Sequence, residues 1–348
     1  MIDFRYHLVS IVAVFLALAI GIVVGATALK PKVEEGLDNV SRAEQHQINS
    51  DRTKIQNLQN QVVSDDALAQ AEAPRLLANL LNGQRVVLVT APGANGPAIN
   101  GITSDLEHAG AKVAGLVQLQ QPFFDTGATT QNSLNVLASK VAPPGVTPGA
   151  PSSQSYVNAQ IAGQQEAAQV LAPALVTNDG TDLPASETSQ ILGGFAQQGF
   201  LQFSPSSAAV APPQATMAVV VIPANPPASG SDPENLALLS LAQQLALNGR
   251  GVVVAGSLVQ SGPGSTINEL INGNTGIQLQ VSSVDDADHA SGQFMVAQAL
   301  SDLLNKQKPN NYGVGTKLAP DPAPTPSPSV TPSLTPTPTT SPARKNRS

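Results

Sequence analysis

The pattern of apolar and polar positions divides the chain into four stretches. From Leu8 to Leu29 the residues LVSIVAVFLALAIGIVVGATAL run without a charged side chain. A helix of that length just crosses a hydrocarbon layer of about 30 Å. Arg5 precedes the run and Lys30 and Lys32 follow it, so groups that prefer headgroups or water bound it on both sides. The pattern predicts one membrane-spanning helix over 8–29, behind a short segment at 1–7. A cleaved secretory signal is the competing reading, because Ala26-Thr27-Ala28 has the small-x-small form of a cleavage site. The apolar run is longer than the usual core of such a signal, about 7–15 residues, which favours a retained anchor. Either way, the chain beyond Leu29 is exported. Ala13, Ala17, Gly21 and Gly25 recur every fourth residue and put a strip of small side chains on one helix face, where a second helix could approach. A plain anchor with no pairing role produces the same pattern by chance.

Beyond the span, Val33 to Val63 is rich in Gln, Asn, Asp, Glu, Lys and Arg with sparse aliphatics. Ile48, Ile55, Leu58 and Val62 occupy positions a, a, d and a of a heptad, a narrow seam suited to a coiled coil. Asp51 and Asp65 take the neighbouring d positions and interrupt it. The segment 30–82 therefore reads as a helical coiled-coil stalk, with Pro74 ending or redirecting the helix. A solvated stalk lying against its own globular domain is the alternative.

From Gly83 the period changes. Arg85 to Thr90 is a short aliphatic run, Ala98 to Ala109 has helical spacing, and Lys112 to Val117 is strand-like again. The sequence repeats the scheme with Met217 to Ile222, Pro233 to Leu247 and Gly251 to Ala255. Two strand–helix–strand units thus flank a middle region with helical patterns near Ser133–Val141, Val157–Leu171 and Glu187–Gln198. Continuous aliphatic strands belong in a sheet covered by helices on both faces, so 83–315 reads as one α/β domain with a largely parallel sheet. Pro143 to Ser153 reads as a surface loop. From 316 to 348 the chain is mostly Pro, Ser, Thr and Ala, a composition that predicts an extended, disordered tail.

Composition narrows the chemistry. The 348 residues carry a formal charge of −7, no Cys, no Trp and 3% aromatics. Disulfides, thiolate metal sites and a cysteine nucleophile are excluded, and an acidic, aromatic-poor chain is a poor nucleic-acid binder. The turn Ala91 to Gly96 stands where phosphate loops occur, but it has neither the Gly-Lys-Ser/Thr ending nor the Gly-x-Gly-x-x-Gly spacing. It reads as the turn a crossover needs. The four histidines, His7, His46, His108 and His289, form no paired metal motif, and Met217 and Met295 read as core. The densest polar group is the loop Ser282 to His289. Its Asp285, Asp286, Asp288 and His289 suit a divalent cation, with Ser283 helping, or equally the capping of the next helix. No catalytic constellation and no cofactor site emerge, and a non-enzymatic protein is expected.

Several pieces together resemble the copper transporter MctB family of actinobacteria. They are Phe4-Arg-Tyr-His-Leu-Val-Ser10 with Val14 to Gly25, Val113 to Gln121 followed by Phe123-Phe124, and Ser283-Val-Asp-Asp286 leading through Gly292 and Val296 to Ala299-Leu300 and Tyr312 to Gly315. The resemblance implies a single-pass cell-membrane protein with a cytoplasmic amino end, a coiled-coil stalk and an extracytoplasmic α/β domain. It implies copper transport or homeostasis, with copper as the only metal suggested. The same family includes SteB-like proteins, which imply instead a self-associating partner of a SteA-like membrane protein in controlling cell-wall hydrolysis and division. An exported enzyme on a nucleotide-binding-like fold is the remaining alternative. One helix forms no pore by itself, and soft copper ligands are scarce, so transport would need self-association or a partner.

Overall fold

A computed structural model describes residues 3–149, 157–178, 182–204, 212–225, 232–273, 275–305 and 308–315. The chain falls into two compact units, Met1–Ala73 and Pro74–Ser348. The expected disordered tail at 316–348 lies outside the described residues.

The first unit belongs to helix α1, Asp3–Leu76, which ends two residues past Pro74. Its segment Tyr6–Gly25 has a mean hydropathy of 2.9, is not buried, and is long and apolar enough to cross a membrane. Further along, Gln47 donates to Asp51 at 3.0 Å and Lys54 lies 3.4 Å from the same carboxylate, contacts one turn apart on a polar helix surface.

The second unit is an open sheet between two helical layers. Its strands are β1 (Arg85–Thr90), β2 (Lys112–Leu119), β3 (Leu201–Ser204), β4 (Met217–Val221), β5 (Val252–Ala255), β6 (Ser282–Val284) and β7 (Asn311–Tyr312). They lie in the order β3-β2-β1-β4-β5-β6-β7. All neighbours run parallel except β2 and β3. Both expected crossover units are present: β1 and β2 join through α2 (Gly96–His108), and β4 and β5 through α6 (Asp232–Asn248). The middle region supplies α3 (Ala128–Val141), α4 (Ala162–Leu175) and α5 (Ala185–Gln197). Two further helices, α7 (Thr266–Asn272) and α8 (Ala290–Leu304), complete the unit.

Strand alternation sorts the aliphatics onto two faces. Val87, Val89, Ala218, Val220, Val252 and Val254 join a core with α3 to α7. Val86, Leu88, Val219 and Val253 are equally buried on the opposite side, the side of α2 and α8. Helix α6 packs on the sheet and on α4 at once, and Asn235 to Leu245 are all buried. A helix enclosed all round shows little amphipathic periodicity.

The structure corrects two expectations. Ser282 to Val284 is a buried strand and not loop: the Asn310 N–H donates to Ser282 Oγ at 3.1 Å, and Ser283 Oγ donates to Asn311 Oδ1 at 2.8 Å. These bonds make a polar run tolerable inside a sheet. Met295 is 37% exposed, so it is not core; it stands beside the buried arc formed by Val296, Ala299 and Leu300.

Candidate functional site

In open α/β sheets, ligands bind outside the carboxyl ends of the strands, at the point where the strand order reverses. Here that point lies between β1 and β4. It is closed by main chain. The Ala91 N–H donates to Val221 O at 2.9 Å, Ala224 N–H donates to Gly93 O at 3.0 Å, and Ala94 bridges Pro223. The space left among Asn95, Ile222, Ser257 and Asp288 is about 10 Å³, room for one water at most. The turn Ala91 to Gly96 therefore ties β1 to β4 and leaves no cradle for a phosphate there.

The carboxylate cluster sits at the same edge, at the end of β6, and the structure divides it. Asp285 is fully buried. Its Oδ2 accepts from Ser261 Oγ at 2.7 Å and its Oδ1 from the Val314 N–H at 2.9 Å, while its own N–H donates to Tyr312 O at 3.1 Å. Gly313 has a φ of +121° and a Cβ there would collide with the Asp285 carboxylate. Asp285 thus fastens the segment after β7 to the sheet. Ser283, engaged with Asn311, does not join the cluster either.

Asp286, Asp288 and His289 remain together, with one ligand atom from each lying within 4.8 Å of the others. Asp286 is half-buried, and that burial raises its carboxyl above the usual range, with neighbouring Asp288 and Asp285 adding to the effect. A Ser291 hydroxyl donated at 3.0 Å and the nearby His289 oppose the rise. His289 is the residue before the first turn of α8, and its side chain makes no cap bond. Gly292 lets the turn close, since a Cβ would strike the Asp286 carbonyl. Two carboxylates and an imidazole are donors for a divalent ion, not for soft Cu(I).

The helix-borne candidates lie on the other unit. Ile48, Ile55, Leu58 and Val62 are 45%, 54%, 61% and 41% exposed. On the apolar span, Ala13, Ala17, Gly21 and Gly25 share one face, and beyond the adjoining helix backbone nothing lies within 4 Å of where a Cβ would stand on either glycine. Sequence reasoning missed Ser261, Gly313 and Gly315 as partners of Asp285. The Gly-x-Gly after Tyr312 was their only local sign.

The described residues thus define a protein with one helix able to cross a membrane and a doubly covered, mostly parallel α/β body. The family described as "Copper transport outer membrane protein, MctB" matches residues 1–321, and the chain belongs to it. The copper transporter MctB of Mycobacterium tuberculosis (strain H37Rv) is 25% identical over 319 residues, 90% of this chain and 97% of that protein. The copper transporter MctB of Mycobacterium leprae is 26% identical over the same shares.

Proposed function

We propose that this chain is a single-pass envelope protein, amino end in the cytoplasm and α/β body outside, that serves copper homeostasis by assembling with other chains instead of forming a path alone. The observation that carries the reading is the exposed apolar stretch Tyr6–Gly25 at the head of a chain whose relatives are named copper transporters. A lone helix has no lumen, so movement of an ion requires several. The strip Ala13, Ala17, Gly21 and Gly25 and the seam Ile48, Ile55, Leu58 and Val62 are the surfaces on which the copies meet. Should the body meet ions directly, Asp286, Asp288 and His289 are where a divalent ion would dock.

A SteB-like role, in which the anchored chain is a scaffold for a division partner, is favoured by the ligand inventory. The chain has no Cys and three Met, of which Met217 is fully buried. Two measurements separate the readings. Deletion raises cellular copper if copper handling is the role. Crosslinked membranes yield a cell-wall or division protein on pull-down if scaffolding is. Unchanged copper together with no Cu(I) or Cu(II) binding by the purified chain rejects the first reading. Carboxyl-terminal reporter fusions active only in the cytoplasm reject the topology.

A further inference from the structure

We infer that the stripe of α1 from Ile48 to Val62 pairs with the same stripe of a second copy, parallel and in register, and that the pairing stops at Asp65-Asp66. The inference deepens the self-association proposed above and takes the parallel direction from the membrane anchor.

The apolar half of the argument is the seam itself. Four large aliphatics at a, a, d and a stand 41–61% exposed on one face of a stretch, 48–62, that is otherwise polar. Burying a fully exposed side chain of this size contributes about 1.5–3 kcal/mol, so a second copy has something to cover.

Charge decides the register. With Ile48 at a, Asp51 falls at d, Arg52 at e and Lys54 at g. In a parallel pair each d side chain enters a hole that includes the e residue of the facing helix. The two Asp51 carboxylates share this d layer, and each also meets Arg52 of the other copy, so two guanidiniums offset two carboxylates. Lys54 at 3.4 Å and Gln47 at 3.0 Å hold the same carboxylate from its own helix. Two heptads later the arithmetic reverses. Asp65 falls at d and Asp66 at e, and 62–68 contains no Lys or Arg. Four carboxylates would converge there, and like charges at such a layer push the helices apart. The seam is charge-balanced at its start and self-repelling at its end.

An antiparallel pair centred on Leu58 is the electrostatic rival, because it brings Arg52 beside Asp65, although it also sets Asp51 opposite Asp65. Two copies anchored in one membrane cannot adopt it.

The absence of Cys makes the test direct. Single variants Ile48→Cys, Ile55→Cys, Val62→Cys, Asn60→Cys and Glu72→Cys of the full chain are treated in native membranes with a short bis-maleimide. The expected result is a dimer band at 48, 55 and 62 several-fold stronger than at 60, on the outer face, or at 72, beyond the acidic pair. Adding Arg52→Glu to Ile48→Cys sets a carboxylate opposite Asp51 and lowers that band several-fold. Equal bands at every position, or none at any, overturn the inference. So does crosslinking by Leu58→Cys without crosslinking by Ile48→Cys or Val62→Cys, the antiparallel signature. Pelleting is scored separately: a chain that washes off the membrane sinks the anchor reading, while the seam still stands or falls on the same bands.

Discussion

Asp285 and Asp286 are chain neighbours with different work. The first accepts from Ser261 and Val314 with no exposed surface; the second stays half-buried beside a histidine. Asp285→Ala takes the acceptor from two part-buried donors, the Ser261 hydroxyl and the Val314 N–H, each bond contributing about 0.5–1.5 kcal/mol. A loss of about 1–3 kcal/mol should appear in denaturant melts, with the segment around Tyr312 becoming protease-sensitive. Gly313→Ala should reproduce that phenotype with Asp285 intact, because its positive φ and the crowded Cβ position both resist a side chain. Asp105 gives the pH prediction. Burial lifts its carboxyl above the ordinary value, and His108, 3.6 Å away, partly offsets this. The folded state then holds this proton more tightly than the unfolded chain, so Asp105 weakens the fold at neutral pH, and the penalty fades as pH falls through the folded titration. Asp105→Asn should melt above the wild type at pH 7 and match it near pH 4, about the ordinary carboxylate value. A gap that widens on acidification would contradict this account.

Elements were legible where burial on two faces enforced a pattern. The strands β1, β4 and β5 are Val-rich because helices cover both of their sides, β2 is buried only in part and keeps Lys112 and Gln118 exposed, and α6 was legible as a long apolar run. The short strands were not. In β6 the signal is masked because Ser282 and Ser283 bond to Asn310 and Asn311, 28 residues away, which no local window contains. Edge strand β3 has only four residues, and α7 has seven. The candidate site was legible as a composition but not as a division of labour, since Ser261 and Val314 choose Asp285 only in the fold. The packing of α3 on α4 offers an element-scale test. Gln164 is fully buried; its Nε2 donates to Phe123 O and Asp125 O at 3.0 Å each, and its Oε1 accepts from Gln131 at 2.6 Å. Beside it, a Cβ on Gly163 would come within 2.7 Å of the Gln131 carbonyl. Gly163→Ala must therefore push two helices apart, at about 1–3 kcal/mol. Gln164→Ala should cost about 2–4 kcal/mol by orphaning two carbonyls and leaving the Gln131 amide with only its bond to Gln160 O. Hydrogen exchange should rise in α3 and the Phe123 turn in both variants, and leave α2 and α8 unchanged.

At the scale of the whole chain the question is where the body begins. Reading the sequence by period alone places the start at Gly83, where the first strand pattern opens. The compact unit instead starts at Pro74. The intervening residues belong to its core: Leu77 and Leu81 have no exposed surface, and the Leu81 N–H donates to Ala109 O at 2.8 Å, just after α2. Removing a buried leucine side chain typically costs about 2–5 kcal/mol. Two such losses match the total stability of a domain, about 5–15 kcal/mol. A fragment spanning 74–348 should therefore remain in the supernatant and unfold cooperatively by calorimetry. One spanning 83–348 should melt roughly 10 °C or more lower, or fail to fold. Replacing Leu77 and Leu81 by Ala in the longer fragment should recreate most of the deficit without any truncation. If both fragments melt together, the two leucines contribute little and the period change at Gly83 marks the true boundary. If the 74–348 fragment itself cannot fold, the body depends on residues of the first unit, and the two units are one cooperative structure.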